Sequence, residues 1–143
     1  MIDQLTVFLE NSAGRLAELS RAMGDAGINM RALMVADTES FGVVRIICDR
    51  PHEAARALGA AGFSASITKV LAVEIPDRPG GLADVLESLG AAAMNVEYAY
   101  CFVEPSGDAA VDIFKIDASG AEDVLRSTGF RVLGASELYE VDA

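Results

Sequence analysis

Leu5, Val7 and Leu9 alternate with Thr6 and Phe8 at the start of the chain, the two-residue period of a half-buried strand. Asn11-Ser12-Ala13-Gly14 supplies turn residues. Leu16, Leu19 and Met23 then recur at helical spacing, with Arg15, Glu18 and Arg21 between them. That pattern predicts an amphipathic helix whose stop is Gly27. Ile28 to Ala36 and Gly42 to Cys48 read as two strands joined by a polar hairpin, Asp37-Thr38-Glu39-Ser40-Phe41-Gly42. Asp49 stands where it can cap a second helix from about Arg50 to Ala60, with Pro51 tolerated in the first turn and Gly62 as the stop. Phe63 to Val70 is a fourth strand, and it leads directly into Leu71, Val73 and Ile75.

Those last residues begin a repeat. Leu71, Val73, Ile75, Gly80, Leu82 and Ala83 each lie 66 positions after Leu5, Val7, Leu9, Gly14, Leu16 and Ala17. Asp77 falls under Asn11, Val85 and Leu89 under Leu19 and Met23, and Asn95 under Asn29. After a one-residue slip in the Pro105-Ser106-Gly107 region, Leu125, Gly129 and Phe130 fall under Leu58, Gly62 and Phe63. Leu82, Val85, Leu86 and Leu89 stripe the third helix, and Ser119-Gly120-Ala121-Glu122 has capping-box spacing for the fourth. Each half therefore reads strand, helix, strand, strand, helix, strand. The expected fold is α+β: two ferredoxin-like βαββαβ units, residues 1–70 and 71–143, with antiparallel sheets and helices on one face.

Hydrophobic residues make up 52% of the chain and charged residues 23%, enough to support a packed core. The formal net charge of -11 disfavours nucleic acid and anionic membrane surfaces as partners. No run approaches a membrane span, and Met1 to Glu10 lacks the pattern of a signal peptide. A cytoplasmic location is expected. Cys48 and Cys101 both lie in apolar runs and read as buried free thiols. His52 is the only histidine; it reads as a surface residue, and no metal or other cofactor is expected.

Asp77-Arg78-Pro79-Gly80-Gly81-Leu82 resembles in full the D/N-x-P-G-x-L turn that opens the first helix of ACT domains. Asn11-Ser12-Ala13-Gly14-Arg15-Leu16 resembles it except at Ala13. Gly27-Ile28-Asn29-Met30 is similar to the family's G-I-N-hydrophobic start of strand two, whereas Ala93-Met94-Asn95-Val96 keeps the asparagine and lacks the glycine. The likeness covers nearly the whole chain and is nearest to stand-alone tandem ACT proteins that have no catalytic domain. It implies a regulatory protein that binds a free amino acid or similar metabolite at an interface between two such units. The implied ligand residues are Asn11, Ser12, Ala13, Gly14, Arg15, Leu16, Asn29 and Met30, and Asp77, Arg78, Pro79, Gly80, Gly81, Leu82, Asn95 and Val96. The second turn is the more family-like.

Physical reading of these residues agrees with that implication. A helix start presents N–H groups without intrahelical partners and a positive dipole end, which receive a carboxylate. Asn29 and Asn95 offer a donor and an acceptor, and Asn11 and Asp77 could face an ammonium. The plainer alternative is that Asn11 and Asp77 are N-caps and that the asparagines satisfy backbone groups. Two other functions stand beside the sensor. One is a structural partner subunit with vestigial pockets. The other is an acylphosphatase-like hydrolase using Arg15 or Arg78 with Asn29 or Asn95, although the glycine-rich signature of those enzymes is absent. Strands that look apolar on both faces, such as those around Phe8 and Phe114, predict a homodimer. The stripe Tyr98, Tyr100 and Phe102 is expected to be partly buried in it.

Overall fold

The computed structural model describes residues 1–37, 41–103, 107 and 109–143. The tip of the expected hairpin at Thr38-Glu39-Ser40, and Pro105 and Ser106 of the register slip, lie outside the described residues. The elements run β1 (Ile2–Glu10), α1 (Arg15–Asp25), β2 (Met30–Asp37), β3 (Phe41–Cys48), α2 (Pro51–Ala60), β4 (Ser64–Pro76), α3 (Gly81–Ala91), β5 (Val96–Val103), β6 (Ala109–Ile116), α4 (Ala121–Ser127) and β7 (Arg131–Leu133), with a 3-10 turn at Ala135–Glu137. No described helix is long and apolar enough to cross a membrane. Two compact units result. The first comprises Asp3–Thr68 and Ala135–Ala143; the second comprises Lys69–Gly134 and Met1–Ile2.

In the first unit the strand order is β2-β3-β1-β4. Strand β1 pairs antiparallel with β3 (Leu5 with Ile46, Val7 with Val44), and β3 with β2 (Val44 with Val35). Partners across a sheet share a face, so Leu5, Val7, Leu9, Val44, Ile46 and Cys48 line one side. There they meet Leu19 and Met23 of α1 and Ala54 and Leu58 of α2 in one buried cluster. The second unit repeats the plan, with β4 pairing both β6 and β7, and β6 pairing β5. Its core joins Leu71, Val73 and Ile75 to Val85, Leu89, Phe114 and Leu125. Both units are thus α+β and ferredoxin-like, as the pattern predicts. Strand β4 is one continuous element, because no turn residue interrupts Ser64–Pro76.

The four helices among the described residues end alike. The N–H groups of Ile28, Phe63, Met94 and Phe130 donate to the carbonyls of Met23, Leu58, Leu89 and Leu125, at 2.9–3.0 Å. This six-to-one bond closes over a residue in the left-handed region: Gly27 (φ 72), Gly62, Ala93 (φ 55) and Gly129. Ile28 is therefore part of the helix stop, which is why β2 begins at Met30 rather than at Ile28.

The helix starts differ from the sequence expectation. Asp49 does not cap α2; the N-cap is Arg50, itself left-handed at φ 44, with no capping side-chain bond of its own. The cap comes from the far end of the chain. Asp142 accepts from the N–H of His52 (3.1 Å) and of Glu53 (2.7 Å). Asp49 is buried and accepts instead from the N–H of Glu140 (2.8 Å) and from the Arg31 guanidinium (2.9 Å). These bonds, that of Glu140 first, hold its carboxyl below the usual range against the opposing effect of burial. Arg50 bonds the Glu140 carbonyl and carboxylate, and the Tyr139 hydroxyl accepts from the N–H of Asp3. The tail 135–143 is thus built into the first unit. Nor does a capping box form at α4, whose N-cap is Gly120 without a side-chain bond; Glu122 pairs with Arg126 and the Met1 amino group.

Candidate functional site

Helices α1 and α3 start from turns of the same construction. At the first, the N–H of Ser12 donates to Glu10 O and that of Arg15 to Ser12 O; at the second, Arg78 N–H donates to Pro76 O and Gly81 N–H to Arg78 O. The N-caps are Gly14 (φ 88) and Gly80 (φ 86), and neither helix has a side-chain cap. Asn11 and Asp77 are therefore not N-caps, and both are exposed. Residues in the left-handed region at these N-caps are glycines because an L side chain is strained there. Gly81 is fixed for a different reason: a Cβ would lie 2.5 Å from the Pro76 carbonyl oxygen. Pro79, Ala13, Ser12, Leu16 and Leu82 are exposed around the turns. Arg15 pairs with Glu18 and lies over the Phe63 ring at 4.7 Å, and Arg78 pairs with Asp84 at 3.0 Å.

The asparagines stand elsewhere. Glu10 pairs with Phe41 at one end of the first sheet, whereas Met30 pairs with Cys48 at the other. Asn29 lies beyond Met30, its carbonyl accepting from the Asp49 N–H at 3.0 Å. The second unit does the same: Pro76 pairs with Ala109, and Val96 with Ile116. The seven residue steps between the two ends correspond to roughly 23 Å at about 3.3 Å each. Within one unit, then, the Asn11–Leu16 turn does not meet Asn29 and Met30, nor does Asp77–Leu82 meet Asn95 and Val96. Asn29 and Asn95 are exposed and Met30 and Val96 half-buried.

One polar residue near the second turn escapes the sequence reading. Asp112 pairs with Val73 on one side and Cys101 on the other, facing the helices between Ala110 and Phe114. It is 3% exposed, and among the described residues its Oδ2 has no hydrogen-bond partner. Burial pushes its carboxyl up from the usual range, while a bond from the Cys101 thiol works the other way. Cys101 is exposed, contrary to expectation, because β5 is an edge strand; burial, then Asp112 and Asp77, push its thiol up. Cys48 is buried as expected, and its thiol is pushed up to about 12, chiefly by burial. The repeat contained a signal for Asp112. The strand pairing places it 68 positions after Val44, so it replaces a core valine. The one-residue slip instead aligns it with Arg45, an outward-facing position.

His52 Nε2 lies 2.9 Å from Asp3 Oδ2, a local pair on the first unit. A cleft of ≈ 550 Å³ on that unit's helix layer is lined by Ala17, Glu18, Arg21, Ala22, Asp25, Ala61 and Phe63. It includes none of the expected ligand residues.

A pair of ferredoxin-like units with glycine-capped first helices defines a class of small two-unit α+β proteins. The chain belongs to the ACT domain pair family, whose model matches residues 1–139. Its fold is similar to the crystal structure of protein BT0572 from Bacteroides thetaiotaomicron, with 34% identity, a TM-score of 0.90, and 96% of this chain and 94% of that chain covered. It is also similar to the ligand-free regulatory subunit of aspartate kinase from Thermus thermophilus, with 18% identity, a TM-score of 0.67 and coverage of 87% and 89%. The regulatory subunit of aspartate kinase from Thermus flavus is alike at 18% identity and a TM-score of 0.63, with coverage of 90% and 92%. At these identities the last two establish the fold alone. No curated protein matches the sequence.

Proposed function

We propose that this chain, a pair of ACT domains divided near Val70 with the tail 135–143 returning to the first, is a non-catalytic regulatory protein that binds a free amino acid. The observation that carries this reading is the pair of glycine N-caps at α1 and α3, neither covered by a capping side chain. Each presents a positive helix end suited to a carboxylate. The membership in the ACT family and the regulatory subunits among its fold neighbours support the same role. Asn29 and Asn95 lie at the opposite sheet ends from the turns of their own units, so a turn's site is not completed by the asparagine of its own unit. A second copy of the chain offers an asparagine.

Isothermal calorimetry against the standard amino acids tests this, with Kd expected at roughly 1 μM to 1 mM. Asn29→Ala and Asn95→Ala remove exposed side chains, so each should leave stability within about 0.5 kcal/mol while weakening binding about tenfold. Gly80→Val is an unsuitable variant, because φ 86 makes any side chain there strained whatever the ligand does. If no amino acid at millimolar concentration gives binding heat, the sensor reading fails and a partner subunit with vestigial pockets takes its place.

A further inference from the structure

Asp112 breaks the pattern of its own fold. Its counterpart Val44 is a fully buried core residue flanked by Val7 and Val35, and Asp112 occupies that place between Val73 and Cys101. The layer it faces is apolar: Leu71, Val73 and Ile75 of β4, Val85 and Leu89 of α3, and Leu125 of α4. One titratable group meets it there, the Cys101 thiol of β5, which donates to the carboxyl, while Oδ2 has no partner among the described residues. The charges on the neighbouring elements are engaged elsewhere. Glu74 of β4 pairs with Arg131 of β7, Glu97 of β5 with Lys115, Asp84 of α3 with Arg78, and Glu122 of α4 with Arg126. Glu87 of α3 and Asp123 of α4 are exposed, and Asp77, before α3, acts on the Cys101 thiol.

A carboxylate buried without a cation beside it costs far more than the same group as a neutral acid. The folded chain therefore favours the proton-bearing form. Once the proton leaves, the charge has to reach water, and the shortest way out is through β5. That strand lies at the sheet edge, Cys101 on it is exposed, and its register with β6 is already irregular between Val96 and Tyr98. The remaining sides are closed by β4 and by the helix layer.

We propose that Asp112 is a proton-operated latch in the second ACT domain: as the neutral acid it holds β5 against β6, and on ionisation it releases that edge strand. The latch needs no ligand. The unfolded chain ionises at the ordinary aspartate value, about 3.9, whereas burial holds the folded carboxyl above it, with the Cys101 bond a smaller opposing effect. Below the ordinary value both states carry the proton. As pH rises from there, stability falls until the folded carboxyl itself ionises, and above that point it stays at the lower level.

Urea denaturation of the full chain, of Asp112→Asn and of Asp112→Val between about pH 4 and pH 8 tests the latch. Asp112→Asn keeps the shape and cannot ionise, so its own pH dependence contains every other carboxylate and subtracts it. The unfolding constant of the native chain relative to Asp112→Asn should rise at least about tenfold over this range, tenfold for each pH unit by which the folded carboxyl is raised. Asp112→Val should lack that rise and should melt above the native chain at neutral pH, which also reports that it folds. Hydrogen exchange at neutral pH should find the amides of residues 99–103 less protected in the native chain than in Asp112→Asn, with those of α3 unchanged. Parallel pH dependence in the native chain and Asp112→Asn overturns the proposal, and so does a loss of protection spread evenly over the second unit.

Discussion

Ala93 occupies the helix-stop position that glycine holds at the ends of α1, α2 and α4, and it keeps the left-handed conformation with φ 55. A Cβ there costs roughly 1 kcal/mol, so Ala93→Gly should stabilise the chain by about that amount. The reciprocal Gly27→Ala should cost about the same. Urea denaturation of the two variants checks both signs; a destabilised Ala93→Gly would mean that Cβ contacts outweigh the backbone strain. The missing glycine at this position is visible in the sequence, but its conformation is not, because the local six-to-one bond from Met94 to Leu89 imposes the left-handed turn on whatever residue stands there. The glycines of the two turns show the reverse. Gly14 and Gly80 stand out in the repeat, yet Asn11 and Asp77 carry the stronger capping propensity, and only the observed backbone identifies the glycines as the caps. Asp112 was hidden by register. Two extra residues preserve the alternation of faces and a single one inverts it, so the slip inferred from Leu125 and Gly129 placed Asp112 on the wrong side of the sheet.

At the level of elements, alternation and helical spacing located the strands and helices to within a few residues, because each carries its own apolar face into its own unit's core. The exceptions are the places where distant chain supplies the partner. Helix α2 has Asp49 one residue before its N-cap, the position from which a local reading expects capping. The acceptor is instead Asp142, 90 residues from His52, and no local sequence rule reaches that far. Asp142→Ala should therefore destabilise the chain by about 1 kcal/mol. It should also raise amide hydrogen exchange at His52 and Glu53 ahead of the rest of α2. Asp142→Asn keeps one acceptor oxygen and should lose less. If Asp142→Ala leaves both the denaturation midpoint and these two amides unchanged, the tail is not the cap of α2 in solution.

For the whole molecule, the exposed apolar surface includes Phe8, as expected, beside Phe41 on the same sheet face, each 55% exposed, but not the aromatic stripe of β5. The stripe Tyr98, Tyr100 and Phe102 is half-buried within the single chain. Strand β2, by contrast, is an edge strand whose Leu33 and Val35 are 45% and 47% exposed, facing the same side as core Val44 and Ile46. An exposed apolar edge is a template for pairing, and β5 is a poorer one, since its exposed side carries Glu97 and Cys101 among Ala99 and Val103. We therefore propose a homodimer in which β2 of one copy lies antiparallel to β2 of its partner about a two-fold axis. Antiparallel pairing sets the Asn11–Leu16 turn end of one copy beside the Asn29 end of the other, the juxtaposition that a single unit cannot make. Light scattering should then give a particle of twice the 15.0 kDa chain mass at micromolar concentration. Val35→Lys places a charge where it is harmless to a monomer and hostile to the pairing, so it should yield the 15.0 kDa species with an unchanged circular dichroism spectrum. The same variant should weaken whatever ligand binding depends on Asn29. A native chain of 15.0 kDa at micromolar concentration would refute the dimer, and a dimer indifferent to Val35→Lys would move its interface away from β2.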